Sequence, residues 1–139
     1  MQIQGLSEFQ RDLLEVSQRR LPREIPKIMR KVGSKARTHV AKKARSTVKK
    51  RTGNYHKKWK RGKVFKGHNG ETVVRVINSS PHAHLIEDGH RMVTKDGNEV
   101  GFVPGKKVLE KGMREFDNSG ISEEMISDWL DGLLRSGRL

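Results

Sequence analysis

The sequence predicts an α+β fold: a long basic N-terminal helix packed on a small antiparallel β-sheet, with shorter helices towards the C-terminus. Three observations predict it. Apolar residues recur every three or four positions over 6–50, β-branched and aromatic runs replace that period over 53–104, and helical spacing returns over 106–135. With 139 residues, 32% of them apolar, there is material for one core, so 1–139 is expected to be a single domain built from those three segments.

Ser7, Glu8, Phe9 and Gln10 have the spacing of a capping box, and Leu6, Phe9, Leu13 and Val16 follow at three- and four-residue steps. A short amphipathic helix is expected over about 7–20. Pro22 and Pro26 suit the first turn of a helix better than its interior, which places the start of a second helix between 22 and 26. Its apolar stripe is Ile25, Met29, Val32, Ala36, Val40, Ala44 and Val48, and it ends before Thr52 and Gly53. The runs 59–66 and 72–77 flank Gly67, His68, Asn69 and Gly70, which predicts a β-hairpin. Pro81 opens a short helical turn through Glu87 that Gly89 can end, and 91–93 and 100–103 are expected as two further strands about a turn at 95–98. Val108, Leu109, Met113 and Phe116 predict a helix over 106–116 despite Gly112. Ser122 is the expected N-cap of a last helix whose apolar face holds Met125, Trp129 and Leu133.

Thirty Lys and Arg against sixteen Asp and Glu give a net charge of +14. That charge is segregated. Residues 19–68 carry twenty cations and one acid, Glu24, while the rest of the chain carries ten cations and fifteen acids. Such a density on one helix exceeds what solubility requires and points to a polyanion or an acidic protein surface. The candidate contact residues are Lys27, Arg30, Lys31, Lys35, Lys42 and Lys49 of the basic helix, followed by Lys57, Lys58, Lys60 and Arg61. Tyr55 and Trp59 interleave with the last four, an arrangement suited to phosphate attraction plus base stacking. Trp59 is equally placed to be a core residue of the first strand.

Catalytic chemistry finds little support. The absence of cysteine excludes disulfides, thiolate metal sites and thiol nucleophiles. No phosphate-cradling glycine loop and no nucleophile elbow occurs. His82, His84, Glu87, Asp88 and His90 cluster, but His82 and His84 would diverge on a helix and no zinc-protease or deaminase spacing is present. No enzymatic activity, no metal and no cofactor are therefore expected. No run approaches the ~20 apolar residues of a membrane helix, and no basic-then-apolar leader opens the chain, so neither membrane insertion nor signal-directed secretion is expected.

The order of pieces resembles a known family. A basic helix is followed by Thr52-Gly53-Asn54 with Trp59-Lys60, then Val76-Ile77-Asn78, then His84-Leu85-Ile86-Glu87-Asp88-Gly89-His90-Arg91, then Phe102-Val103-Pro104-Gly105-Lys106 leading into a helix. Over about 6–118 this is similar to the tailed-bacteriophage neck or tail-completion family called HK-ninety-seven gene-ten-like. Tyr55 and His84 depart from the residue types usual at their places in it. The resemblance implies a non-enzymatic virion protein of the neck or tail, a ring-forming head–tail connector that contacts head-closure or portal and tail proteins. It also implies that the chain is in the host cytoplasm during assembly. Thr52, Gly53, Glu87, Gly89, Pro104 and Gly105 are then structural motif residues, and the basic face meets either a neighbouring subunit or passing duplex DNA. The alternatives are a sequence-nonspecific nucleic-acid-binding protein in a non-viral setting and, behind it, a metal-dependent nuclease.

Overall fold

The computed structural model describes residues 8–50 and 53–136. Helix α1 (Glu8–Glu15) passes through one π-helical turn, Val16–Arg20, into α2 (Leu21–Thr47). A new α-helix thus begins one residue ahead of the expected 22–26 start, with Pro22 in its first turn, and no loop separates it from α1. A proline ring clashes with the carbonyl four residues back, which for Pro22 belongs to Gln18, inside the π turn. Wider spacing there lets the backbone stay helical. Pro22 occupies the first turn of α2, and Pro26 lies inside the helix.

Helix α2 spans 27 residues and buries Ile28, Val32, Gly33, Ala36, Val40, Ala41 and Ala44. The expected stripe is present from Val32 to Ala44, whereas Ile25 and Met29 are half-buried and Ile28 takes the inner position. Small residues on this face let other elements approach closely. A Cβ on Gly33 would lie 2.8 Å from Val74 Cγ2, and one on Gly112 would lie 3.1 Å from Val40 Cγ2. Gly112 thus explains itself: it lets α5 (Val108–Ser119) lie against α2 with Val108 and Phe116 buried beside Val40.

After the short α3 (Asn54–Lys57) comes the expected hairpin, divided into two ladders. Strand β1 (Trp59–Arg61) pairs antiparallel with β4 (Val76–Asn78), and β2 (Phe65–Lys66) pairs with β3 (Thr72–Val73). Between them the Gly62 N–H still donates to Arg75 O at 2.7 Å. The ladder is interrupted where Val74 comes against α2 at Gly33. Helix α4 (Ala83–Asp88) leads directly into β5 (Gly89–Val93), which pairs antiparallel with β6 (Glu99–Pro104) with a register irregularity between Met92 and Val93. The small antiparallel sheet is thus three two-stranded sheets, the first two against the long helix and the β5–β6 pair beside α4.

Helix α6 (Ile121–Ser136) begins one residue before the expected cap. Gly120, at φ +76°, turns the chain, and Ser119 Oγ accepts the Ile121 N–H at 3.2 Å. Ser122 therefore lies inside the helix. Among the described residues no helix is long and apolar enough to cross a membrane.

Candidate functional site

The exposed edge of α2 is set by the same periodicity that sets its core, since cations fill the positions between the buried ones. Lys27, Arg30, Lys31 and Lys35 border, together with Arg61 of β1, an open groove of about 800 Å³ that also takes in Ser34, Thr38 and Met125. Among the described residues no carboxylate lines it. Lys27 is paired with Glu24 within its own helix at 3.2 Å. Arg61 is held in place by its half-burial, by a bond from Nη1 to Gly62 O at 3.2 Å, and by packing of its stem near Gly33.

The other expected contact residues are dispersed. Lys42 is exposed further along α2, and Lys49 borders a different cavity beyond its end. Lys57, Lys58 and Lys60 are exposed around α3 and β1, outside the groove. Lys43 points towards α5, where its Nζ lies 2.6 Å from Glu115 Oε1, with His39 Nε2 3.6 Å from the other carboxylate oxygen. The hydrogen bond from Lys43 holds the Glu115 carboxyl below the usual carboxylate range.

Base stacking is not available to Trp59. Trp59 is 5% exposed and belongs to the core, with Tyr55 meeting it edge-on at 5.5 Å between ring centroids. Burial, aided by the charge of Glu87, pushes the Tyr55 hydroxyl up to about 12. Of the two readings of Trp59, the core one holds.

Four of the six motif residues, Glu87, Gly89, Pro104 and Gly105, meet at one junction between α4, the β5–β6 hairpin and α5. Lys107, at φ +51°, has no side-chain cap to offer α5. Glu87 supplies it from α4: Oε1 accepts the Leu109 N–H at 2.8 Å and Oε2 the Glu110 N–H at 3.1 Å. These are two of the backbone donors that a helix start leaves unbonded, and a carboxylate there also complements the helix dipole. The Lys106 and Lys107 N–H groups donate to Ile86 O and Glu87 O, and Lys107 Nζ reaches Asp88 Oδ1 at 2.9 Å. Gly89 sits at φ +92°, and a side chain on it would run into Val103 O and Gly105 N. A side chain on Gly105 would strike Glu87 O and the Asp88 backbone. Glu87, Gly89, Pro104 and Gly105 thus form one close backbone crossing. Gly53 is likewise at φ +83°, ahead of α3, while Thr52 lies outside the described residues.

The histidine cluster is split by this arrangement. His82 and His90 border a cavity of about 520 Å³ with His56, Tyr55, Leu85 and Val103, whereas Glu87 is engaged in capping. Within that cavity His56 Nε2 bonds Val48 O at 3.0 Å. Among the described residues no group of three or more His, Asp or Glu stands close enough to hold a metal ion.

Fold and site define a class: a basic α+β protein whose candidate contact residues lie on a charged surface and whose motif residues lie at backbone turns and a close crossing. A family model described as "Bacteriophage HK97-gp10, putative tail-component" matches residues 7–89. The match takes in more than half of the chain, and the protein belongs to that family of phage structural proteins. It includes Glu87 and Gly89, while Pro104 and Gly105 follow it in sequence and are joined to it by the contacts above. No curated protein and no solved structure gives a significant match. The only signal in the sequence for the capping role of Glu87 was its place in the family motif, because a cap supplied from 22 residues away leaves no local pattern.

Proposed function

We propose that this chain is a ring-forming connector of the phage neck, a tail-completion component that joins the DNA-filled head to the tail. Its place is in the virion, and in the host cytoplasm during assembly. The observation that carries this reading, beside family membership, is the distribution of unpaired charge. Among the described residues the α2 groove gathers five cations and no acid, and of the five only Lys27 is ion-paired, to Glu24 of its own helix. On α6, Glu123, Glu124, Asp128 and Asp131 are exposed and make no ion pair within the described residues. A head-to-tail ring satisfies both surfaces by repeating one heterologous contact around a circle. Head-closure or portal proteins on one side and tail proteins on the other are the expected further partners.

Reversing the groove cations Arg30, Lys31 and Lys35 to Glu tests the reading. The expected result is an unchanged circular dichroism spectrum with heads and tails that remain separate. Normal yields of infectious particles would overturn it. A second use of the same face, nonspecific contact with duplex DNA, is favoured by the carboxylate-free lining of the groove, because phosphate contact needs no base readout. The non-viral nucleic-acid-binding alternative predicts binding by the free chain and no copurification with virions. The nuclease alternative predicts plasmid cleavage with Mg²⁺, Mn²⁺ or Zn²⁺ that is lost in His84→Ala and Glu87→Ala; intact plasmid is expected.

A further inference from the structure

The β5–β6 hairpin leaves its apolar side chains uncovered. Val93, Val100 and Phe102 are 62%, 62% and 59% exposed, and Met92 is 47% exposed. Arg91 pairs with Phe102 across the ladder, alternation puts Val93 on that same face opposite Glu99, and Val100 is the extra residue of the irregularity beside them. An isolated two-stranded ribbon is marginal in water, and an apolar face on it calls for a cover.

The cover is constrained by charge. Two copies of a chain carrying +14 repel each other except where the local surface is neutral or acidic. The hairpin is such a place, since over 89–104 Arg91 and Lys95 are matched by Asp96 and Glu99. Its complement must be another exposed apolar patch. Phe65 and Ile77 stand among cations: Arg75 lies 4.9 Å over the Phe65 ring, and Lys60 is the ladder partner of Ile77. Ile126 and Leu130 of α6, four residues apart and therefore on one stripe, are each 38% exposed on a helix with four acids and one cation, Arg135. That stripe is apolar and ringed by the opposite charge.

We infer that the β5–β6 hairpin is an assembly arm whose Val93, Val100 and Phe102 face seats on Ile126 and Leu130 of a second copy of the same chain. The exposed Arg91 and Lys95 then approach Glu123 and Asp131 of that copy. The contact joins two different surfaces, so it propagates head to tail and closes only by rotation. It rests on the ring reading above and gives that ring a second, apolar contact beside the charged one. The five apolar side chains of this contact bury far less than the roughly 1,200 Å² of a stable standard interface, so the arm acts when copies are already held together.

The chain contains no cysteine, which makes a crosslinking test direct. Val100→Cys and Leu130→Cys are made as separate full-length chains and mixed, then oxidised both as concentrated free protein and in particles assembled with the mixture. Both positions are exposed, and circular dichroism checks each fold. The expected result is a covalent pair in the mixture that disappears when either variant is omitted. Dimers of Val100→Cys alone, a link from it to a different virion protein, or no link in either setting would overturn the arm. A mixed link in the free protein with the chain absent from particles would uphold the arm and refute the connector reading.

Discussion

Glu87 Oε1 accepts the backbone N–H of Leu109 at 2.8 Å, and that bond ties the end of α4 to the start of α5 across 22 residues of chain. With Oε2 on Glu110, the single carboxylate takes the place of the N-cap that Lys107 cannot provide.

Glu87→Ala is therefore expected to lower stability by about 1–2 kcal/mol, the cost of an N-cap together with a favourable charge at the helix start. Glu87→Gln keeps one acceptor and should lie between the two. Urea denaturation monitored by circular dichroism measures the series. Equal stability of Glu87→Ala and the native chain would remove the capping role.

Tyr55 is the only tyrosine, so its titration can be followed without ambiguity by tyrosinate absorbance. Its hydroxyl is raised from 10.0 to about 12, first by burial and then by the negative charge of Glu87. A group whose pKa is higher folded than unfolded contributes stability that is complete below the unfolded value and is lost as pH rises through the folded one. Stability should accordingly fall between pH 10 and pH 12. In Glu87→Gln the phenol should titrate lower than in the native chain, while remaining above 10 because burial persists.

The parts of this fold that were legible in the sequence are those with a local cause. Val32, Ala36, Val40 and Ala44 follow the helical period and are buried together; Gly67 to Gly70 turn the hairpin as their residue types require. The departures have non-local causes. The chain passes from α1 into α2 without a loop because a π turn lies ahead of Pro22, Gly112 is set by the approach of Val40, and Trp59 is drawn into the core by Tyr55 and α2 rather than left among its lysine neighbours. At the basic surface the sequence identified the cations, but only folding selects which share a groove. Arg61 joins Lys31 and Lys35 across a strand-to-helix contact, whereas Lys57 and Lys58, nearer to it in sequence, do not.

Gly89→Ala should cost more than the ~1–2 kcal/mol of forcing a left-handed conformation alone, and Gly105→Ala, whose φ is not positive, should exceed the same figure through its backbone clash. A methyl group at either position meets backbone that cannot move aside. Gly97 is the control, for it has φ +83° in the hairpin turn and nothing within 4 Å of an added Cβ. Thermal unfolding of the three variants should separate the crossing pair from Gly97→Ala. If all three lose the same stability, the close crossing is not what requires glycine.

The groove makes the salt dependence of DNA binding a test of place as well as of charge. Any cationic chain of +14 binds duplex DNA to some extent, so affinity alone decides nothing. If phosphates lie along α2, binding should be indifferent to sequence, and log affinity should fall against log salt with a slope of about −0.9 per phosphate contacted. Arg30→Gln, Lys31→Gln and Lys35→Gln together should then reduce that slope by up to about 2.7, three contacts' worth. The same number of cations removed outside the groove, as in Lys95→Gln, Lys111→Gln and Arg114→Gln, should leave the slope nearly unchanged. Equal losses from the two triple variants would mean that DNA responds to net charge alone. The groove would then be left to the acidic face of a neighbouring subunit, and the slope measured for the native chain would carry no information about the path of DNA through the neck.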